Sequence, residues 1–225
     1  MKKILCLALC LIFTLSFAAA EGATLTVAGT ASVTLTPDFA TINLGVSTQA
    51  KTVAEAQTEN AARMNALLDA LTAQGIADVD IQTTYFNVHP LSEYRSNIAE
   101  ITGYQVSNQL SVTVRDLNSI STVLDAAISA GANESYGLTF DSTKRNEAYD
   151  QAVALAAKEA VRKAEVLAAA SGVKLGSLLT VSENNMGYAG DNGIRMKLED
   201  TAAGTLILQG ELAVSATVTM AYLAE

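Results

Sequence analysis

Apolar and polar residues take turns across residues 24–36: Leu25, Val27, Ala31, Val33 and Leu35 share one face, and Thr24, Thr26, Thr30, Ser32, Thr34 and Thr36 take the other. A period of two, filled with β-branched side chains, predicts a half-buried strand, or two strands with a bend at Gly29. Pro37-Asp38 then supplies turn chemistry, and Ala40, Ile42, Leu44 and Val46 resume the alternation, which predicts a first hairpin. Residues 104–114 repeat the rhythm, with Val106, Leu110, Val112 and Val114 inward and Ser107, Gln109, Ser111 and Thr113 outward, the pattern of an antiparallel strand wet on one side. In the last segment Leu212, Val214, Ala216, Val218, Met220 and Tyr222 alternate against Ala213, Ser215, Thr217, Thr219 and Ala221. Shorter strands are expected at residues 79–88, 136–140 and 178–181, with an irregular polar stretch at 89–99 and a glycine- and charge-rich loop at 184–200.

Between these strands the period changes to that of a helix. Thr52-Val53-Ala54-Glu55 is a capping box, and behind it Ala54, Ala61, Met64, Leu68 and Leu71 fall on one face until Gly75 stops the helix in a left-handed turn. Leu117, Ile120, Leu124, Ala127 and Ile128 mark a second, shorter helix that ends at Gly131. A third runs over residues 144–170, with Tyr149, Val153, Ala156, Ala160, Ala164 and Leu167 as its stripe and Gly172 as its stop. Its alanines let a neighbouring element approach closely. The glycine stops stand 56 and 41 residues apart, so the recurring helix, glycine and strand do not form a solenoid of fixed period. The reading is an α+β fold: antiparallel sheets with three amphipathic helices packed on them. The order is compatible with two subdomains, one holding the hairpins and the first helix, the other the two later helices at residues 116–182.

Ahead of these elements, Lys2 and Lys3 precede an apolar run over residues 4–17 and then Ala18-Ala19-Ala20, which is the charge, apolar core and small-residue exit of a secretory signal peptide. The run is shorter than the roughly 20 residues a helix needs to cross a bilayer. Cleavage near Ala20 is therefore expected, with residues 1–20 as signal peptide, 21–225 as the exported domain, and an extracytoplasmic destination in the periplasm or at the cell surface. A lipid anchor on Cys10 would have to follow Leu9, which is too large for the usual small residue. Cys6 and Cys10 both leave with the leader, so the mature chain has no disulfide, thiol nucleophile or thiolate metal site. Loss of Lys2 and Lys3 leaves 12 basic against 23 acidic side chains, which moves the formal charge from −9 to −11. Such a surface argues against nucleic acid and anionic membrane as partners, because phosphate binding needs clustered Lys and Arg, and no nucleic acid partner is expected. No apolar run of spanning length follows the leader, so no transmembrane segment is expected in the mature chain, and the three helices speak against an outer-membrane barrel.

Candidate chemistry is sparse. His89, the single histidine, precedes Pro90 near Glu93, Tyr94 and Arg95, and a general base or metal ligand would be its functional reading. One imidazole with no thiolate gives a metal one nitrogen, and no motif supports a Ser-His-acid triad. The acid pairs Asp78/Asp80 and Glu199/Asp200 lack the spacing of a calcium loop. Residues 187–193 hold three glycines with Tyr188 and Asp191, but neither the lysine nor the following helix of a phosphate cradle. Lys144-Arg145 and Arg162-Lys163 read as the solvated face of the third helix. No catalytic, cofactor-binding or metal-binding residue, and no cofactor, is therefore expected.

Several ordered stretches resemble the SIMPL-domain family of bacterial periplasmic and secreted proteins. They are Val27-Ala28-Gly29-Thr30-Ala31, Pro37-Asp38-Phe39-Ala40, Gln82-Thr83-Thr84-Tyr85-Phe86-Asn87-Val88-His89-Pro90, Gly103-Tyr104-Gln105-Val106-Ser107-Asn108, Val112-Thr113-Val114-Arg115-Asp116-Leu117 and Gly131-Ala132-Asn133, together with Lys163-Ala164-Glu165 and the exit at residues 167–172. They cover nearly all of residues 24–223. At Leu208-Gln209-Gly210-Glu211 a proline before the glycine is missing, so the approach to the last strand departs from the pattern. The resemblance implies an α+β fold, an envelope or extracellular location, homo-oligomerisation, and a loose association with oxidative-stress defence and surface antigenicity. The family has no established catalytic residues, and none is carried over.

The expected function is that of an exported, non-enzymatic envelope or secreted protein, homo-oligomeric, which acts on an unidentified protein or envelope partner through its surfaces. The alternative is a small-ligand or hydrolase-like site around His89, Glu93 and Tyr94.

Overall fold

The computed structural model describes residues 23–95, 98–184, 207 and 209–225. The capping box closes at Thr52: Glu55 N donates to Thr52 Oγ1 at 3.3 Å and Thr52 N donates back to the Glu55 carboxylate at 3.2 Å, which fixes the start of α1, Val53–Ala73. Gly75, at φ 83°, reverses the chain so that Ile76 N reaches Leu71 O and Gly75 N reaches Thr72 O. Helices α2 (Ile120–Ser129) and α3 (Arg145–Ser171) end in the same way at Gly131 and Gly172, with Ala132 N on Ala127 O and Val173 N on Ala168 O. A side chain is strained in that left-handed turn, so these glycines set where each helix stops.

The strands, all antiparallel, form two sheets. One has the order β1-β7-β6, where β1 is Thr24–Leu35, β7 is Leu212–Ala224 and β6 is Leu175–Glu183. The other has the order β3-β4-β2-β5, where β3 is Ile81–Arg95, β4 is Ile98–Val114, β2 is Phe39–Ala50 and β5 is Glu134–Asp141. This is the α+β arrangement that the alternating periods predict.

Helices α1 and α2 cover one face of the four-stranded sheet, where Leu44, Leu67, Leu71, Val112, Ile120 and Val123 are buried together. Each such side chain contributes roughly 1.5–3 kcal/mol on leaving water. The buried face of α1 is Ala56, Asn60, Met64, Leu67 and Leu71, a stripe turned away from Ala54 and Ala61, which are exposed. The turn brings Asn60 inward, where its Nδ2 donates to Val46 O at 2.8 Å and to Val106 O at 3.2 Å. The layers thus group α2 with α1 and leave α3 with the other sheet. There the contact runs through Ala148, Ala152, Ala156, Ala160, Ala164 and Ala168, one every fourth residue and all buried, with Gly29 of β1 at the closest approach.

The structure corrects several sequence expectations. Residues 24–36 and 40–46 are not arms of a hairpin: β1 pairs with β7 from Thr24↔Leu223 to Leu35↔Leu212, while β2 lies between β4 and β5. Alternation reports which face is buried and is silent about which strand lies alongside. Of the two readings of residues 24–36, the single strand holds, since the β1–β7 register runs unbroken through Gly29. Residues 89–95 and 98–99, expected in an irregular stretch, are strand: β3 continues to Arg95 and β4 begins at Ile98 with Tyr94 opposite Ala99, with a register shift between Leu91 and Ser92. Beyond the helix layer neither face is covered, so no buried period betrays the strand.

The leader with its expected cleavage near Ala20, the glycines of residues 187–193 and the pair Glu199/Asp200 lie outside the described residues. Among the described residues no helix is long and apolar enough to cross a membrane.

Candidate interaction surfaces

Strand geometry decides what His89, Glu93 and Tyr94 can do together. All three are exposed on β3, with His89 opposite Gln105 and Glu93 opposite Glu100. Successive side chains of a strand point to opposite faces, so His89 and Glu93 share one face and Tyr94 takes the other. At about 3.3 Å per residue, four steps separate His89 from Glu93 by roughly 13 Å. The three do not converge on a common point. Among the described residues no group of three His, Cys, Asp or Glu side chains could hold a metal ion.

Most of the other charged candidates are committed to pairs that hold the fold. Asp80 receives Arg115 on both oxygens, Nε at 3.0 Å and Nη2 at 2.6 Å, and this carboxylate holds the guanidinium above its ordinary pKa. Arg145 Nε donates to Asp141 at 2.6 Å, and Arg162 grips Glu159 at 2.7 and 2.6 Å, which holds the Glu159 carboxyl below the usual range. Lys163 Nζ instead donates to the backbone carbonyl of Ala28 on β1, at 3.0 Å.

The helix-free face of the four-stranded sheet carries a hydrogen-bonded polar network. Gly45 leaves room for the Gln109 side chain to cross β2 toward β5, where Gln109 Nε2 donates to Glu134 at 2.8 Å and Gln109 Oε1 accepts from Tyr136. Gln105 Nε2 donates to Ser47 Oγ at 2.8 Å, and Gln49 donates to Gln105 Oε1 at 3.1 Å. Asn133 continues the ladder with its side chain, accepting from Ser47 N and donating to Ser47 O, both at 2.7 Å. The outward Ser107 and Gln109 of the sequence pattern mark this face. The part of Asn133 is not legible there, because its residue type also suits a helix exit.

The feature that sequence reasoning missed is an arm. The last pairing of β2 is Ala50 with Tyr104, and past it β3 and β4 continue as a hairpin from Leu91↔Gly103 to Arg95↔Ile98. Phe86, Val88, Pro90 and Tyr94, with Tyr104 and Ile101 opposite, line the face on which α1 packs further down the sheet. Here nothing described covers it: Phe86 is 54% exposed, Ile101 59% and Tyr94 81%. The signal was the alternation of Phe86, Val88 and Pro90 against Asn87 and His89.

Two antiparallel sheets, each helix-covered on one face and, among the described residues, open on the other, define an α+β protein whose distinctive features lie on its surfaces. The chain belongs to the SIMPL family, described as a protein of unknown function (DUF541), whose family model matches residues 25–222. It is 38% identical over 168 residues to the 26 kDa periplasmic immunogenic protein of Brucella melitensis, covering 72% of this chain and 67% of that protein. It is 32% identical over 162 residues to the uncharacterized protein YggE of Edwardsiella ictaluri, covering 72% and 68%. To YggE of Escherichia coli K12 it is 29% identical over 182 residues, covering 81% and 74%. These relatives support an envelope-associated protein of the SIMPL type, and none of the three names states an enzymatic activity.

Proposed function

We propose that this chain is an exported envelope protein that works without catalysis, by associating with copies of itself and offering its remaining surfaces to an envelope partner. The observation that carries this reading is the β3–β4 arm, whose apolar face extends past the helices that cover the same face of the sheet. An apolar patch of contiguous large side chains on a soluble chain marks a contact surface. The periplasmic name of the Brucella relative and the leader at residues 1–20 support the compartment. The link to oxidative stress that the family resemblance implies would then be carried by the assembled protein. Thiol chemistry is not its vehicle, because Cys6 and Cys10 fall within the leader. The alternative site at His89, Glu93 and Tyr94 has no observation in its favour, since β3 spreads those groups along the strand and over two faces.

Sedimentation of the protein recovered from the extracytoplasmic fraction, across micromolar concentrations, tests this reading. An assembled particle supports it, and a monomer throughout overturns it. Export is checked separately by the mass of the recovered chain, which should begin at Glu21.

A further inference from the structure

We propose that the outer edge of β1 is the seam through which two copies of this chain join, antiparallel and about a twofold axis, into one six-stranded sheet. This rests on the self-association reading and adds to the arm a second contact between copies.

An open strand edge is a template for another chain, and native edges are spoiled by bulges, proline or charge. Among the described residues four strands end a sheet, and three of them carry such devices. β3 has a bulge at Thr84, Pro90 and Glu93; β5 has a register shift beside Gly137 and acids at Glu134 and Asp141; β6 shifts register twice and ends on Glu183. β1 has none of these. It pairs with β7 through twelve consecutive positions without a break, and residues 24–35 contain neither proline nor a charged side chain.

The free backbone groups of that edge can be assigned. Ala224 N donates to Ala23 O at 2.7 Å, so the odd-numbered residues bond toward β7. Lys163 Nζ reaches Ala28 O at 3.0 Å from the other side. In an antiparallel ladder the N–H and C=O of one residue point the same way and alternate along the strand. Thr24, Thr26, Ala28, Thr30, Ser32 and Thr34 therefore offer donors and acceptors outward. Lys163 holds the place that an N–H of an incoming strand would take.

Charge and shape both favour a second copy as the occupant. Two copies of the exported chain, at formal charge −11, repel, and β1, uncharged itself and flanked by Arg162 and Lys163, is an edge where they can approach without setting acids opposite one another. The α3 helix sits over β1 and β7, and on the β1 side Val27, Ala28, Arg162, Lys163, Val166, Leu167 and Ala170 line a hollow of about 330 Å³. Val166 and Leu167 are half-exposed there. A twofold axis normal to the sheet places both α3 helices on the same face. With strands spaced about 4.8 Å apart and each helix seated between β1 and β7, the two helix axes lie roughly 10 Å apart, which is the packing distance of helices. Pairing the edges thus also closes the hollow with the partner's α3.

The test is sedimentation velocity on the exported chain and three variants, with circular dichroism to follow the fold. Thr26→Pro removes one outward N–H and leaves the ladder to β7 intact. The double variant Ala28→Glu, Ser32→Glu sets acids across the axis at exposed positions. Lys163→Ala frees the Ala28 carbonyl. Expected are a wild-type particle of at least two chains, a mass that falls by half or more in the first two variants with unchanged dichroism, and association at the same or lower concentration for Lys163→Ala. If Thr26→Pro fails to fold, the double glutamate variant decides. A natively folded double variant that keeps the wild-type mass overturns the β1 seam and leaves self-association standing. A wild-type monomer overturns both.

Discussion

Gly29 of β1 lies so close to Ala156 of α3 that a Cβ built on it would stand 2.1 Å from the Ala156 carbonyl oxygen and 2.4 Å from Ala160 N. The neighbours are helix backbone, which cannot turn aside as a flexible side chain can. Gly29→Ala therefore forces α3 off the sheet, with the alanine stripe from Ala148 to Ala168 losing contact on either side of the clash. Overpacking of this kind costs about 1–3 kcal/mol, and backbone neighbours place it at the upper end. Urea denaturation should give a midpoint well below that of the natural chain. Unchanged stability would mean the helix rides higher on β1 than described.

Asn60 is 2% exposed between α1 and the four-stranded sheet, and its amide ties α1 to both β2 and β4. Asn60→Ala leaves the Val46 and Val106 carbonyls short of a partner and opens a small gap. A buried acceptor stranded in this way costs about 1–3 kcal/mol. The expected loss shows in the same denaturation experiment.

Acid should loosen the junction between the sheets. The Asp38 carboxylate accepts Thr143 Oγ1 at 2.6 Å, Thr143 N at 2.8 Å and Ser142 Oγ at 3.1 Å, joining the turn between β1 and β2 to the turn between β5 and α3. Its pKa is lowered from 3.8, chiefly by the Thr143 hydroxyl and then by the Thr143 amide. A carboxyl depressed in the folded state stabilises the fold above its unfolded pKa. That contribution is lost as pH falls through the lower, folded value. Asp38→Asn should therefore lower stability at neutral pH and flatten the decline below about pH 4, relative to the natural chain. Thermal unfolding from pH 7 to pH 2 measures both.

Substitutions on the arm should affect contact between copies and leave the fold intact. Phe86, Ile101 and Tyr94 are exposed and contribute little to the core of a single chain. Replacing the three by Ser should change the unfolding free energy from urea denaturation by no more than about 0.5 kcal/mol per substitution while weakening association. A loss of folding instead would show that the arm is part of the core.

Local chemistry made much of this fold legible. The Thr52–Glu55 box, the glycine stops at Gly75, Gly131 and Gly172, and the inward set from Leu212 to Tyr222 are each decided within a few residues, and the structure places all of them as expected. Partnership between distant segments was not legible. Val27 and Val33 alternate in the same way whether the neighbour is β2 or β7, and only the folded chain sets them opposite Met220 and Val214. Asn60 escaped because a pattern drawn from apolar residues passes over a polar one that finds backbone acceptors. The arm escaped because the alternation of Phe86, Val88 and Pro90 lapses at Leu91-Ser92-Glu93, where neither face is held by a helix. As for function, His89, Glu93 and Tyr94 were read as neighbours in sequence, which one strand spreads apart.

Self-association is most directly tested by the mass of the native particle. Chain recovered from the extracytoplasmic fraction, sedimented at several micromolar concentrations, is expected to run as an assembly of at least two copies beginning at Glu21. A single-chain particle at every concentration would contradict it.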